Sequence, residues 1–108
     1  MANTFKSYFS KNVGTSAASV YTCPAATQTT IIGMSMANTS TSPITTDAYV
    51  TRSAVNYYLI KAATVPVGGS LVIVGGDQKV VMQAADVLYV VNSVATSGDC
   101  AASLLEIA

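Results

Sequence analysis

Short runs of β-branched residues recur along this chain at intervals of about ten residues, and clusters of turn-forming residues separate them. Val, Ile and Thr together number 33, against 9 for Leu and Met, and β-branched side chains suit a pleated strand but crowd a helix. A length of 108 residues is typical of one domain. The sequence therefore predicts an all-β fold: a single antiparallel β-sandwich of about eight short strands, with either jelly-roll or immunoglobulin-like strand order.

The stretch from Val65 to Leu88 shows the pattern most fully. Two runs rich in β-branched residues flank Gly75-Gly76-Asp77, which favours a β-hairpin with a tight turn. The pairs Gly68-Gly69 and Gly75-Gly76 are predicted to be turns that need a positive φ. They are not phosphate loops, because no Gly-Lys-Ser/Thr follows them and neither opens a helix.

Two other predicted strands have clear faces. In the strand Thr30 to Ala37, we expect Ile32, Met34 and Met36 to share a buried face, opposite Ile31, Gly33 and Ser35. In the strand Ile44 to Arg52, alternate residues form the buried face: Ile44, Thr46, Ala48 and Val50.

The N-terminal segment, residues 1–18, differs from the rest and is predicted to be an arm ahead of a sandwich domain over residues 19–108. Both phenylalanines of the chain, Phe5 and Phe9, lie here with Tyr8 between them. Their spacing of three and four would place all three rings on one side of a short helical turn. This segment either closes over the domain's own core or docks on a neighbouring subunit, so Phe5, Tyr8 and Phe9 are the candidate partner-binding residues.

Charge is scarce in this sequence. Only ten residues are charged, five of each sign, and none lies between Asn12 and Thr46, whereas ordinary domains carry roughly a quarter charged residues. Weak repulsion between copies favours association, although a Ser/Thr-rich surface is an alternative explanation. The few scattered Lys and Arg argue against nucleic acid. No apolar run is long enough to span a membrane, and no signal peptide is predicted.

Residues that carry chemistry are few. The chain has no histidine, which removes the usual general base and the histidine metal ligands, so we expect no enzyme, no metal and no cofactor. Asp77 and Asp86 suggest a calcium site only weakly, and hydrogen bonding within their own turns is the favoured role. Cys23 and Cys100 are expected to be free apolar thiols, with a single bridge as the alternative.

Four tyrosines could form a stacking platform for a sugar ring: Tyr49, Tyr57, Tyr58 and Tyr89. Without tryptophan and with few polar partners nearby, we favour the alternative, in which these tyrosines are half buried with their hydroxyls at the rim of the core.

Several segments of the sequence resemble segments of small β-sandwich virion proteins of tailed bacteriophages, including phages of marine and cyanobacterial hosts. These segments are predicted strands and turns, at Ser19 to Thr27, Ile31 to Ser40, Val65 to Val81 and Ala85 to Val90. The resemblance covers about Val13 to Ile107 and implies a protein made in the host cytoplasm and used in many copies in the virion.

The resemblance implies a structural function. The first expectation is a capsid decoration or cement protein that binds the major capsid protein, forms a homo-oligomer such as a trimer, and stabilises the shell. A neck or tail component (adaptor, collar or baseplate) is the alternative. A glycan-binding module for host recognition is the third hypothesis.

Overall fold

A computed structural model describes residues 3–75 and 79–108. The described residues form strands and connecting turns without a helix, which confirms the all-β prediction. The nine strands are β1 (Asn3–Val13), β2 (Ala18–Thr22), β3 (Gln28–Asn38), β4 (Ile44–Arg52), β5 (Val55–Val65), β6 (Ser70–Val74), β7 (Val80–Met82), β8 (Val87–Asn92) and β9 (Gly98–Ile107).

The strands form two antiparallel sheets that pack as a sandwich. Sheet I has the order β1-β9-β3-β6, with β7 also paired to β3, and sheet II has the order β2-β8-β4-β5. Successive strands mostly alternate between the sheets, whereas an immunoglobulin order places its first two strands side by side in one sheet. The strand order is therefore that of a jelly roll.

The core lies between the inner faces of the two sheets. Strand β4 alternates as predicted, with Ile44, Thr46, Ala48 and Val50 all buried. The Thr46 hydroxyl donates to Asn92 Oδ1 at 2.7 Å, so a polar side chain on the inner face keeps its hydrogen bond. The largest fully buried side chains come from both sheets and include Ile31, Met36, Met82, Leu88 and Leu104.

A β-bulge in β3 overturns one predicted face. Ile31 pairs with Leu104 but Gly33 pairs with Ser103, so Ile32 is an extra residue in the ladder. The bulge reverses the alternation: Ile31 is fully buried, whereas Ile32 is 36% exposed. The prediction that Ile32 shares the buried face of Met34 and Met36 was wrong.

The predicted hairpin between the two runs of the Val65 to Leu88 stretch was also wrong. Strand β6 pairs with Met34 to Ala37 of β3, and β7 pairs with Thr29 to Ile31 of the same strand. The two runs therefore follow one another along a single edge of β3. The connecting residues Gly76, Asp77 and Gln78 lie outside the described residues.

The N-terminal segment is a strand, so the predicted helical turn was wrong. Strand β1 pairs with β9 continuously from Asn3 opposite Ile107 to Ser10 opposite Cys100. In this strand Phe5 and Phe9 point to the outer face of sheet I, while Tyr8 points to the inner side. Most of residues 1–18, the segment predicted to be an arm, therefore forms an edge strand of the sandwich.

Both cysteines are buried and free, as predicted. Cys23 Sγ lies 3.4 Å from Thr29 Oγ1, and Thr29 pairs with Glu106, six residues along β9 from Cys100. At about 3.3 Å per residue the two thiols are about 20 Å apart, far beyond the reach of a disulfide. The alternative of an internal bridge is excluded.

Candidate assembly surface

The outer face of sheet I collects exposed apolar side chains. Ten large apolar residues are exposed in the described parts of the chain. Five of them lie on this face, which we call the apolar face: Phe5, Phe9, Ile32, Val72 and Val81. Exposed apolar side chains that cluster on one face are typical of an interaction surface.

Strand β1 supplies the two largest groups of the apolar face. Phe5 and Phe9 are each 76% exposed, and they share a face because residues four apart on a strand point the same way. Behind them, β9 contributes the small residues Ala101 and Ser103, directly opposite Phe9 and Ser7. Small side chains beside large rings leave two shallow depressions of about 250 and 290 Å³, into which a complementary surface could fit.

On the part of the apolar face that β1, β9 and β3 form, charged side chains lie at one end. Among the described residues that β1, β9 and β3 place there, only Lys11 and Asp99 are charged, and Lys11 Nζ lies 3.0 Å from Asp99 Oδ2. The backbone N–H of Asn12 donates to Asp99 Oδ1 at 3.0 Å. This backbone hydrogen bond, together with Lys11, lowers the pKa of Asp99.

On its inner side, β1 is fixed by a partly buried polar network. Lys6 Nζ lies 3.0 Å from Glu106 Oε1, and the Tyr21 hydroxyl donates to Glu106 Oε2 at 2.5 Å. The Tyr21 oxygen also lies 2.7 Å from Thr29 Oγ1, and the rings of Tyr8 and Tyr21 are 5.1 Å apart. The hydrogen bond from Tyr21, with help from Lys6, lowers the pKa of Glu106. The network therefore serves to anchor a strand.

The outer face of sheet II carries three of the four predicted tyrosines. Tyr89, Tyr49 and Tyr58 lie on adjacent strands and form what we call the tyrosine row. The Tyr49 ring lies 5.4 Å from that of Tyr89 and 4.9 Å from that of Tyr58. Lys61 Nζ lies 4.5 Å from the Tyr58 ring centre and 3.6 Å from Asp47 Oδ2.

This arrangement uses the tyrosine rings within the chain. Tyr49 contacts a ring on each side, and a lysine covers Tyr58, so these faces are occupied by neighbours. Tyr57 pairs with the inward-facing Val50 and lines a cleft of about 390 Å³ with Val80 and Val81. The four tyrosines therefore do not form one platform.

No cluster of side chains suited to metal binding occurs in the described residues. Within ranges 3–75 and 79–108, no three His, Cys, Asp or Glu residues lie close enough to hold a metal ion. Asp86 accepts hydrogen bonds from Arg52 Nε at 2.8 Å and from the backbone of Gln83 at 2.8 Å, which confirms its predicted turn role. Its partner in the weak calcium hypothesis, Asp77, lies outside the described residues. The described part of the chain has no helix long and apolar enough to cross a membrane.

The three predicted partner-binding residues separate in the structure. Phe5 and Phe9 lie together on the apolar face, while Tyr8 packs against Tyr21 between the sheets. Sequence reasoning missed Ile32, Val72 and Val81 as members of the surface. The exposure of Val72 and Val81 depends on how β6 and β7 pair with β3, which the sequence pattern did not predict.

Comparison with known proteins supports the fold. No protein-family model matches the chain, and no curated protein matches it. A solved structure described as "Bacillus endospore appendages form a novel family of disulfide-linked pili" is similar in fold, with a TM-score of 0.58 and 12% sequence identity. The match covers 97% of this chain and 85% of the pilus chain. At this identity the similarity concerns the sandwich architecture.

Proposed function

We propose that this protein is a structural subunit of a multi-copy assembly and that its apolar face is buried against other subunits. The observation that carries the proposal is the collection of half of the large exposed apolar residues on the outer face of sheet I. A monomer in water would keep Phe5 and Phe9 hydrated. Burial of apolar surface contributes about 25 cal/mol per Å², so two rings contribute several kcal/mol to an interface.

The similar pilus structure supports a structural role, because its chain assembles into disulfide-linked pili. The link between copies of this protein would be of a different kind. Cys23 and Cys100 are both buried within the sandwich, so neither thiol is placed to bridge two subunits. Contacts between copies would therefore be non-covalent and depend on apolar burial and backbone pairing.

Within this role, we propose a virion structural protein, with capsid decoration or cement as the preferred placement and neck or tail as the alternative. The resemblance to phage β-sandwich proteins, the scarcity of charge and the jelly-roll order all support it, since jelly rolls are common in viral capsids. Fold alone does not assign function. The proposal therefore depends on the surface and on composition.

Two measurements test the proposal. Sedimentation of the purified chain over a range of concentrations should give oligomers or larger assemblies, and a monomer at all concentrations would count against self-assembly. Quantitative mass spectrometry of purified phage particles should find this chain in a ratio near one to one with the major capsid protein. A few to a dozen copies would instead place it at the neck or tail, and its absence would contradict the virion assignment.

A further inference from the structure

We propose that residues 3–10 of β1 are exchanged between neighbouring copies, so that they pair with β9 of the next subunit, and that the hinge lies at Lys11 and Asn12. This inference rests on the proposed function, because exchange requires copies that assemble. It names the contact that joins them: the occupant of the groove beside β9 is the N-terminal strand of a second copy.

The hinge is visible in the register of β1. Eight residue pairs run without a break from Asn3 opposite Ile107 to Ser10 opposite Cys100, and the register then shifts before Val13 opposite Gly98. Asn12 lies in this break with a φ of 53°, a left-handed conformation that asparagine tolerates better than most residues. The backbone can therefore change direction here without disturbing a paired residue on either side.

The chain after the hinge is firmly anchored in its own subunit. Val13 is 2% exposed, and its carbonyl accepts hydrogen bonds from Ser97 N at 2.9 Å and Asn92 Nδ2 at 3.2 Å. Gly14 packs so closely against the backbone of Thr96 that an added Cβ would lie 2.9 Å from its nitrogen. Opening of β1 would therefore stop at residue 12 and leave the rest of the sandwich intact.

The groove left by residues 3–10 must be filled again. Without β1, the edge of β9 and the network of Glu106 and Tyr21 would face solvent, and a second copy of β1 offers the same lysine, tyrosine and backbone groups. Exchange of an identical element restores every contact, so its cost is low. Strand β1 suits such exchange because it lies at the edge of sheet I and pairs with β9 alone.

In the closed form, in which β1 pairs with β9 of its own chain, two opposing effects act at the hinge. The positive φ of Asn12 disfavours the bulge, while Asp99 holds it through Lys11 and the Asn12 N–H. Short, strained hinges favour exchange over closure. The balance between closed and exchanged forms is therefore set at Lys11, Asn12 and Asp99, at the end of the apolar face.

Engineered cysteines test the exchange directly. Ser7 and Ser103 are opposite partners in the β1–β9 ladder, and opposite Cα atoms lie about 4.5–5.5 Å apart, within disulfide range. Chains carrying only Ser7→Cys and differently tagged chains carrying only Ser103→Cys are coexpressed and oxidised. If strands exchange, the two tags become joined through a disulfide. Cys23 and Cys100 stay in place because both are buried.

The control uses a pair that cannot exchange. Thr51 and Asn56 are opposite partners in the β4–β5 hairpin, where only Ser53 and Ala54 connect the paired residues Arg52 and Val55. Coexpressed Thr51→Cys and Asn56→Cys chains should give no joined tags. Exchange is supported if the tags are joined in the Ser7→Cys/Ser103→Cys mixture and are not joined in this control mixture.

Two negative outcomes are distinguishable. If the Ser7→Cys/Ser103→Cys double variant forms its disulfide within one chain while the protein still assembles, exchange is wrong and the proposed function survives. If the protein does not assemble at all, both fail.

A second pair of variants needs no cysteine. Asn12→Pro fixes φ near −65° and removes the N–H that Asp99 accepts, whereas Asn12→Gly keeps the N–H and permits a positive φ. Exchange predicts that the proline variant raises the ratio of oligomer to monomer severalfold over the glycine variant in size-exclusion chromatography. Equal ratios, or a lower ratio for proline with a folded far-UV spectrum, would place the hinge elsewhere and overturn the inference.

Discussion

The outer faces of the two sheets differ in whether their aromatic rings contact other side chains of the same chain. On sheet II, the rings of the tyrosine row contact other side chains of the same chain: Tyr49 contacts rings on both sides and Lys61 lies over Tyr58, which is still 45% exposed. On sheet I, Phe5 and Phe9 are each 76% exposed, and the residue opposite Phe9 is the small Ala101. The difference lies in whether an aromatic ring already has a partner in its own subunit.

The two outer faces also differ in where their few charged groups lie. Each charged group near the tyrosine row has a partner across the strands, as in Asp47, which accepts the Ala62 N–H at 2.6 Å and lies near Lys61. On the apolar face, the ion pair between Lys11 and Asp99 lies at one end. Phe5 and Phe9, by contrast, remain exposed.

The largest effect on association is expected when both phenylalanine rings are removed from the apolar face. Phe5→Ser with Phe9→Ser should weaken association at least a hundredfold, since each buried ring contributes about 1.5–3 kcal/mol and 1.4 kcal/mol is tenfold. The free energy of unfolding of the monomer should change little, because both rings are exposed. Sedimentation equilibrium measures association, and Tyr57→Ser, an exposed tyrosine outside this face, is the matched control. Equal weakening by the control would contradict the assignment.

The opposite test acts on sheet II. Tyr49→Ala removes two ring contacts and should lower the free energy of unfolding by about 2 kcal/mol, measured by urea denaturation. Association should stay unchanged at protein concentrations where the variant is folded. If instead Tyr49→Ala abolished association without loss of stability, the tyrosine row would be the interface and the roles of the two faces would be reversed.

Acid should loosen the edge strand of the apolar face first. Asp99 and Glu106 both hold β1, and hydrogen bonds lower the pKa of each carboxyl group in the folded chain. Their stabilisation is therefore present above the unfolded pKa values near 4 and is lost as the pH falls through the lower folded values. The protection factors of β1 amides against hydrogen exchange should fall at low pH more than those of β5 amides. The Asp99→Asn/Glu106→Gln variant should remove this difference, and its persistence would contradict the assignment.

The smallest effect is expected at Lys61. Its contacts with Tyr58 and Asp47 are solvent-exposed, and such pairs contribute about 0.5 kcal/mol each. Lys61→Met keeps the apolar stem over the ring and removes the charge. It should lower the free energy of unfolding by less than about 1 kcal/mol in urea titrations, with little change in association. A larger loss would mean that the tyrosine row depends on its charge.

The sequence pattern predicted the sandwich well where strands alternate without interruption. Strand β4 matched its predicted bounds and buried face, because a continuous run from Ile44 to Val50 has a single period. Strand β3 failed at Ile32, where a bulge adds one residue and reverses the faces. The hairpin failed because β6 and β7 each find a better partner in β3 than in one another, and long-range pairing leaves no local signal.

The candidate surface was half predicted for a similar reason. Phe5 and Phe9 are four residues apart, a spacing that places them on one face of either a helix or a strand. Tyr8, at an odd offset from both, distinguishes the two structures: a helical turn brings it alongside the rings, and the strand sends it to the opposite side. Its contact with Tyr21 depends on the approach of β2, which the N-terminal pattern alone does not contain.

The two buried cysteines carry a consequence for where such a protein can work. Burial raises the pKa of the Cys100 thiol to about 12, so almost none of it is thiolate at neutral pH, and thiolate is the form that attacks disulfides and reacts with oxidants. Cys23 is equally enclosed. The covalent connectivity of the chain should therefore be identical in a reducing cell interior and in oxidising surroundings. A subunit built in this way needs no oxidative maturation step and loses nothing when the redox environment changes.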